Sequence, residues 1–266
     1  MVIVSSSKIM ANNMQEYNLN FTYQQDKIKQ LNDKYKFISD QNRAFFIAEK
    51  MRVDFVYNTA ALEGNPYTYP EIKTLIEGIT VGGHKVSDTE QVLNLNHALS
   101  HLINLVKQNK FILNKQTACD IQGIVANREA LTWGKFRDGQ VFIGGTDYTP
   151  PKAHQLDDVF IVGIHKINTI EQNNNFNLVL KAWIIFLWGS INQFFYDGNK
   201  RTSRLLANGV LLSEGLPPLT IFAKDQLKYN QIMTNFYNTQ DATQAIEWLF
   251  EYYYNNICDF GFAEKL

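Results

Sequence analysis

The stretch Gln193-Phe194-Phe195-Tyr196-Asp197-Gly198-Asn199-Lys200-Arg201-Thr202-Ser203-Arg204 decides how this chain is read. It lies between two apolar segments with helical character, Leu178 to Ile191 and about Lys200 to Ser213. Asp197-Gly198-Asn199 is a turn that ends the first helix, and Asn199 can cap the second. A helix start offers free backbone N–H groups and the positive end of the dipole, and so attracts anions. Arg201 and Arg204 are three apart, so both can project towards one side, as a di- or triphosphate site requires. Asp197, just ahead of them, can hold a divalent metal that bridges phosphates. The same residues also fit a solvated turn with surface arginines.

Composition sets the frame around that stretch. The 266 residues carry 25 Lys+Arg against 26 Asp+Glu, a net charge of -1. That lacks the basic excess of a nucleic-acid-coating protein. With 45% hydrophobic residues, the chain is too apolar for disorder. Cys119 and Cys258 are far apart and form no CxxC, so a reducing, cytoplasmic compartment is the default, with a secreted effector left open. Met1 to Met10 lacks the basic region and long apolar run of a signal peptide. The run Ala182 to Ile191 is about half the roughly 20 residues a membrane span needs, and reads as a buried helix.

The rest of the chain is mostly α. Residues 22 to 62 are rich in helix formers, with Ile28, Leu31, Tyr35 and Ile38 at helical spacing, and Gly64-Asn65-Pro66 ends the run near Glu63. Further helices are expected at 71–76, at 88–108 with Asp88 as cap, and at 115–130, 156–170, 227–237 and 243–257. Asp138-Gly139, amid alternating apolar residues over 136–146, signals one inserted β-hairpin. His97 and His101 are four apart but have no partner cluster, and read as polar helix-face residues.

The central stretch resembles the motif of Fic proteins, of the Fido superfamily, written HxFx(D/E)GNGRxxR. Phe195, Asp197, Gly198, Asn199, Arg201 and Arg204 match it. Thr59, Glu63 and Gly64 match the family's inhibitory motif, (S/T)xxxE(G/N), placed ahead of the core. Phe136-Arg137 to Gly145, followed by Tyr148 to Pro151, resembles the family's flap. The resemblance covers roughly residues 50 to 230.

It implies a mainly α Fic-fold helical bundle with one β-hairpin flap. Residues 1–84 would carry the inhibitory helix at about 52–63, residues 85–230 the core with its flap at 136–146, and residues 231–266 a helical extension. The implied activity is transfer of AMP from ATP to a target-protein hydroxyl. Asp197 would coordinate Mg²⁺, with Gly198, Asn199, Lys200 and Arg201 around the inner phosphates. Arg204 would hold the γ-phosphate, or pair with Glu63 in an inhibited state. Val141, Phe142, Ile143, Gly144 and Gly145 would dock the target by strand addition. No nucleic acid or membrane is implied, and a homodimer stays open.

Two departures qualify this. The family's catalytic histidine is the general base, and its place is taken by Gln193, a neutral amide that cannot accept the proton. The five histidines, at 84, 97, 101, 154 and 165, are remote in sequence. Lys200 replaces a glycine, as in the related phosphotransferase toxin Doc. The resemblance therefore implies an AMP transferase that is weak or inactive, and two alternatives stay open: a nucleotide- and target-binding pseudoenzyme, and a Doc-like phosphotransferase.

Overall fold

The computed structural model describes residues 19–171 and 174–265; Met1 to Met10 lies outside them. Eleven helices and one two-stranded sheet make up the described residues. At the centre, α8 (Asn175–Asn192) is apolar on all sides, and every residue from Leu178 to Asn192 is buried. A helix of that character is stable only when other elements cover it completely. Its principal partner is α9 (Asn199–Ser213), which returns along it after the turn at 193–198. The two approach so closely that a Cβ at Gly189 would fall within 2.9 Å of Ser203 Cβ. Two helices, α5 (Val86–Lys107) and α6 (Lys115–Val125), pack on α9, and α3 (Arg52–Leu62) packs on α5. Two more helices, α7 (Leu156–Asn168) and α11 (Thr243–Ile257), pack on α8, and α10 (Gln226–Thr239) packs on α11. No helix among the described residues is long and apolar enough to cross a membrane.

The expected helices are present with local adjustments. Glu63 is the C-cap of α3, where the Gly-Asn-Pro break placed the end. A capping box between Thr68 and Glu71, with Pro70 in the first turn, starts α4 (Tyr69–Ile76). The apolar stripe of α5, from Val92 to Val106, is buried. The helix begins ahead of Asp88, which sits in its first turn while Lys85 is the N-cap.

The segment at 22–62 is not one helical run. It forms α1 (Gln25–Asn32), strand β1 (Tyr35–Phe37) and α2 (Gln41–Lys50) ahead of α3. β1 pairs antiparallel with β2 (Ala263–Lys265), Phe37 opposite Ala263. Tyr35 packs at a tilt against Tyr254, and Phe37 against Phe250 and Tyr253. Asp40 then accepts the backbone N–H of Arg43 at 2.9 Å and starts α2 afresh. A partner more than two hundred residues away, together with a local cap, overrides the helical spacing of Tyr35 and Ile38.

The expected β-hairpin over 136–146 is also corrected: the segment is extended and forms no strand ladder. The turn falls at Gly144-Gly145, with Gly145 at φ +78°, and not at Asp138-Gly139. Side-chain hydrogen bonds take over the role of a strand partner. Tyr196 donates its hydroxyl to Asp138, and a Cβ at Gly139 would meet that hydroxyl at 2.6 Å. Gln140 reaches across to the carbonyl of Pro150 at 3.1 Å.

Substituting Gly189→Ala forces a methyl group into the α8–α9 contact and is expected to lower stability by about 1–3 kcal/mol. Gly82→Ala, which meets nothing within 4 Å, should change it by less than about 0.5 kcal/mol. Urea unfolding of both variants measures the difference; equal midpoints would contradict the close packing.

Candidate functional site

The site is built on the turn between α8 and α9. Gln193 closes α8 in the left-handed conformation, φ +49°. Its side-chain amide is committed at both ends: Nε2 donates to the carbonyl of Ser190 at 2.6 Å, and Oε1 accepts Asn199 Nδ2 at 3.0 Å. Asn199 also closes the turn on itself, accepting Phe195 N–H at 2.9 Å and donating to the Phe195 carbonyl at 2.8 Å. It is therefore the first residue of α9 and not its cap; Gly198 is the N-cap, at φ +75°, a conformation that favours glycine. With no side chain capping α9, the N–H groups of its first turn remain available to an anion. Phe194 anchors the turn from below, stacked on Phe136 at 5.1 Å and packed on Phe160 and Trp188.

The three cations of the motif face different ways. Lys200 is one-third exposed, lines an open cleft, and lies 3.7 Å from Glu63 Oε1. Arg201 is buried in a cage of carboxylates, with Glu129 Oε2 at 2.8 Å and Asp197 Oδ1 at 3.4 Å. Burial pulls its pKa down, but Glu63, Glu129 and Asp197 outweigh that and hold it above the ordinary value. Arg204 is 1% exposed, and its Nε and Nη2 have no hydrogen-bond partner among the described residues. Burial pushes its pKa below the ordinary value, with Tyr229 and Glu63 opposing. The neighbouring Tyr229 and Tyr237 hydroxyls are held protonated, chiefly by burial.

Glu63 thus lies beside the turn and its field reaches both arginines, but the cation it contacts is Lys200 and not Arg204. Thr59 is buried one helical turn before it, and Gly64, at φ +82°, leads the chain away. Asp197 uses Oδ1 for Gly198 N–H and Arg201, and its side chain is 57% exposed. The cleft has a volume of about 460 Å³ and runs between Phe142-Ile143-Gly144, Gln193, Lys200 and the face of α10 carrying Tyr229. Phe142 is 80% exposed, and between Asp138 and Pro150 no backbone N–H is bonded to another backbone carbonyl.

The roles of several residues that build the site escaped the sequence reading. Arg137 is buried and grips three carbonyls, those of Gln193, Gly139 and Pro151, so it fastens the extended segment to the turn. Gln122, fully buried on α6, donates to the Asp197 carbonyl and accepts Gly134 N–H. Glu129 holds Arg201 and accepts Gln91 Nε2 at 3.0 Å. The signal for Arg137 is a cation set among aromatic and glycine residues; Gln122 and Glu129 carry none.

Comparison with known proteins adds the following. Residues 112–211 match the model of the Fic/DOC family. The curated relatives include "Protein adenylyltransferase Fic" of Aedes aegypti, 26% identical over 219 residues, 77% of this chain and 41% of that protein. Its namesake in Drosophila grimshawi is 26% identical over 85% of this chain and 47% of its own length. The chain thus spans less than half the length of these relatives. Among solved structures, Fic-1 from C. elegans shares the fold with a TM-score of 0.71 at 17% identity, covering 96% of this chain and 72% of that one. A Fic domain containing signaling protein from Bacteroides thetaiotaomicron gives 0.65 at 19% identity, covering 91% and 92%.

Arg137→Lys keeps the charge but loses the planar fork that serves three carbonyls at once. It is expected to cost about 1–3 kcal/mol of stability, measured by thermal or urea unfolding. An unchanged unfolding midpoint would contradict the fastening role.

Proposed function

We propose that this chain, whose residues 112–211 match the Fic/DOC family model, is a Fic-type protein that binds ATP in the cleft beside the α8–α9 turn and docks a target protein along the 141–145 segment, with AMP transfer strongly attenuated. The observation that carries the reading is the state of Gln193. It stands at the base position of the motif, and both ends of its amide are already hydrogen-bonded within the protein. A neutral amide so engaged cannot take a proton from an attacking hydroxyl, and loss of a general base costs about 10²–10⁴-fold in rate.

The binding half of the reading rests on the cations. Arg204 is desolvated with unpartnered N–H groups, which an incoming phosphate oxygen would satisfy. Lys200 faces the cleft, and the first turn of α9 adds backbone donors. Glu63 competes for the same charges: its carboxylate lies where an outer phosphate would be attracted, and its withdrawal would release Lys200 and expose Arg204 to nucleotide. This supports autoinhibition by Glu63.

Asp197 suits a magnesium ion. Its Oδ2 makes no hydrogen bond among the described residues, and a half-exposed single carboxylate matches a cation that keeps several waters and takes its other ligands from phosphates. When bound, the ion would neutralise phosphate charge. The protein's own contribution is to orient the nucleotide with the turn and to present the unpaired edge of 141–145 to an extended target segment.

Calorimetry with ATP and Mg²⁺ is expected to show binding to the unchanged chain. Labelling of a broad protein mixture from α-labelled ATP is expected to be near background. The double variant Gln193→His with Glu63→Gly should raise labelling by about 10²-fold or more. Robust labelling by the unchanged chain would refute the attenuation, and label arriving only from the γ-phosphate would favour phosphotransfer instead.

A further inference from the structure

Around Lys200, Arg201 and Arg204 lie three carboxylates, those of Glu63, Glu129 and Asp197, which pair with Lys200 and Arg201; the formal charge of the set is zero. Two of the three carboxylates can be relieved. Asp197 is largely exposed, and among the described residues the Glu63 carboxylate has one contact, a long one to Lys200. Glu129 differs. Its side chain is 12% exposed, and its Oε2 accepts both Arg201 Nη1 at 2.8 Å and Gln91 Nε2 at 3.0 Å. Its Oε1 is buried with no hydrogen-bond partner among the described residues. Gln91 in turn accepts Asn65 Nδ2 at 3.0 Å, and Asn65 lies two residues beyond Glu63. A continuous chain of hydrogen bonds therefore runs from the Glu63 turn through Asn65, Gln91 and Glu129 to Arg201.

We propose that Glu129 is a second, built-in counter-anion of the phosphate site, which neutralises Arg201, lowers nucleotide affinity and links Arg201 to the Glu63 turn. The proposal rests on the nucleotide-site reading above and adds a residue to it. A phosphate entering beside Arg201 meets a fixed negative charge that, unlike Glu63, has no exposed position to swing to. A guanidinium already paired with a carboxylate offers less to a second anion. If Glu129 only positioned Arg201, its loss would weaken anion binding. As a counter-anion, its loss strengthens binding while destabilising the free protein, because Arg201 is left buried with less compensation.

The test is Glu129→Gln in the full chain, with calorimetry against inorganic pyrophosphate and against ATP with Mg²⁺. Pyrophosphate affinity is expected to rise about tenfold, the scale of one partly screened charge pair. The thermal midpoint of the free variant should fall, and its rise on adding pyrophosphate should exceed that of the unchanged chain. Unchanged or weaker pyrophosphate binding by a folded Glu129→Gln overturns the proposal. Should that variant not fold, Glu129→Asp draws the carboxylate back from Arg201 by one methylene while keeping its charge and should raise affinity about threefold; no gain there overturns it equally. If the unchanged chain and both variants all fail to bind millimolar pyrophosphate or ATP, the nucleotide-site reading fails with it. Binding by the unchanged chain with no gain in the variants removes only the role of Glu129.

Discussion

The burial of α8 on every side constrains everything around it. A helix with no solvated face cannot choose its partner loosely, and the contact at Gly189 and Ser203 fixes how α9 lies against it. The turn joining them is then short, and its polar backbone must be satisfied in place. Asn199 does this from within the turn, Arg137 from the extended segment, and Gln122 from α6. The N-terminal end of α9 is fixed in place by the apolar packing beneath it. Phe194 belongs to that packing: its ring fills the space between Phe136, Phe160 and Trp188.

The electrostatics follow from the same geometry. The first turns of α9 deliver three cations into three environments, one facing a cleft, one caged by carboxylates and one buried without an acceptor among the described residues. Their differences arise from what surrounds each position, since Arg201 and Arg204 are chemically identical and yet shift in opposite directions. Net charge over the whole chain conceals this, because near-neutrality recurs at the scale of the site itself.

Legibility in the sequence divides along the same line. The helical architecture was readable wherever periodicity and caps agreed, as in the stripe of α5 and the break after Glu63. Where distant residues decide, local patterns misled. Tyr35 and Ile38 keep helical spacing, but the strand at 35–37 exists because 263–265 lies beside it. Asp138-Gly139 looks like a hairpin turn, but Tyr196 and Arg137 claim its polar groups first. The motif residues could be numbered from the sequence alone, whereas Arg137, Gln122 and Glu129 act through contacts that no spacing encodes. The pairing of Glu63 with Lys200 instead of Arg204 was beyond reach for the same reason.

The β1–β2 pairing carries a consequence for how the molecule assembles. Its partners, such as Lys36 and Glu264, are 228 residues apart, so this contact closes almost the whole described chain into a ring. Loop closure of that length is entropically costly and contributes to slow, late steps of folding. During synthesis, β1 emerges long before its partner, and the segment leading into α2 and α3 must wait for the last helix before its own edge is satisfied. The entry into α2 thus depends on residues 263–265, and a nick near residue 260 would be felt more than two hundred residues away in sequence.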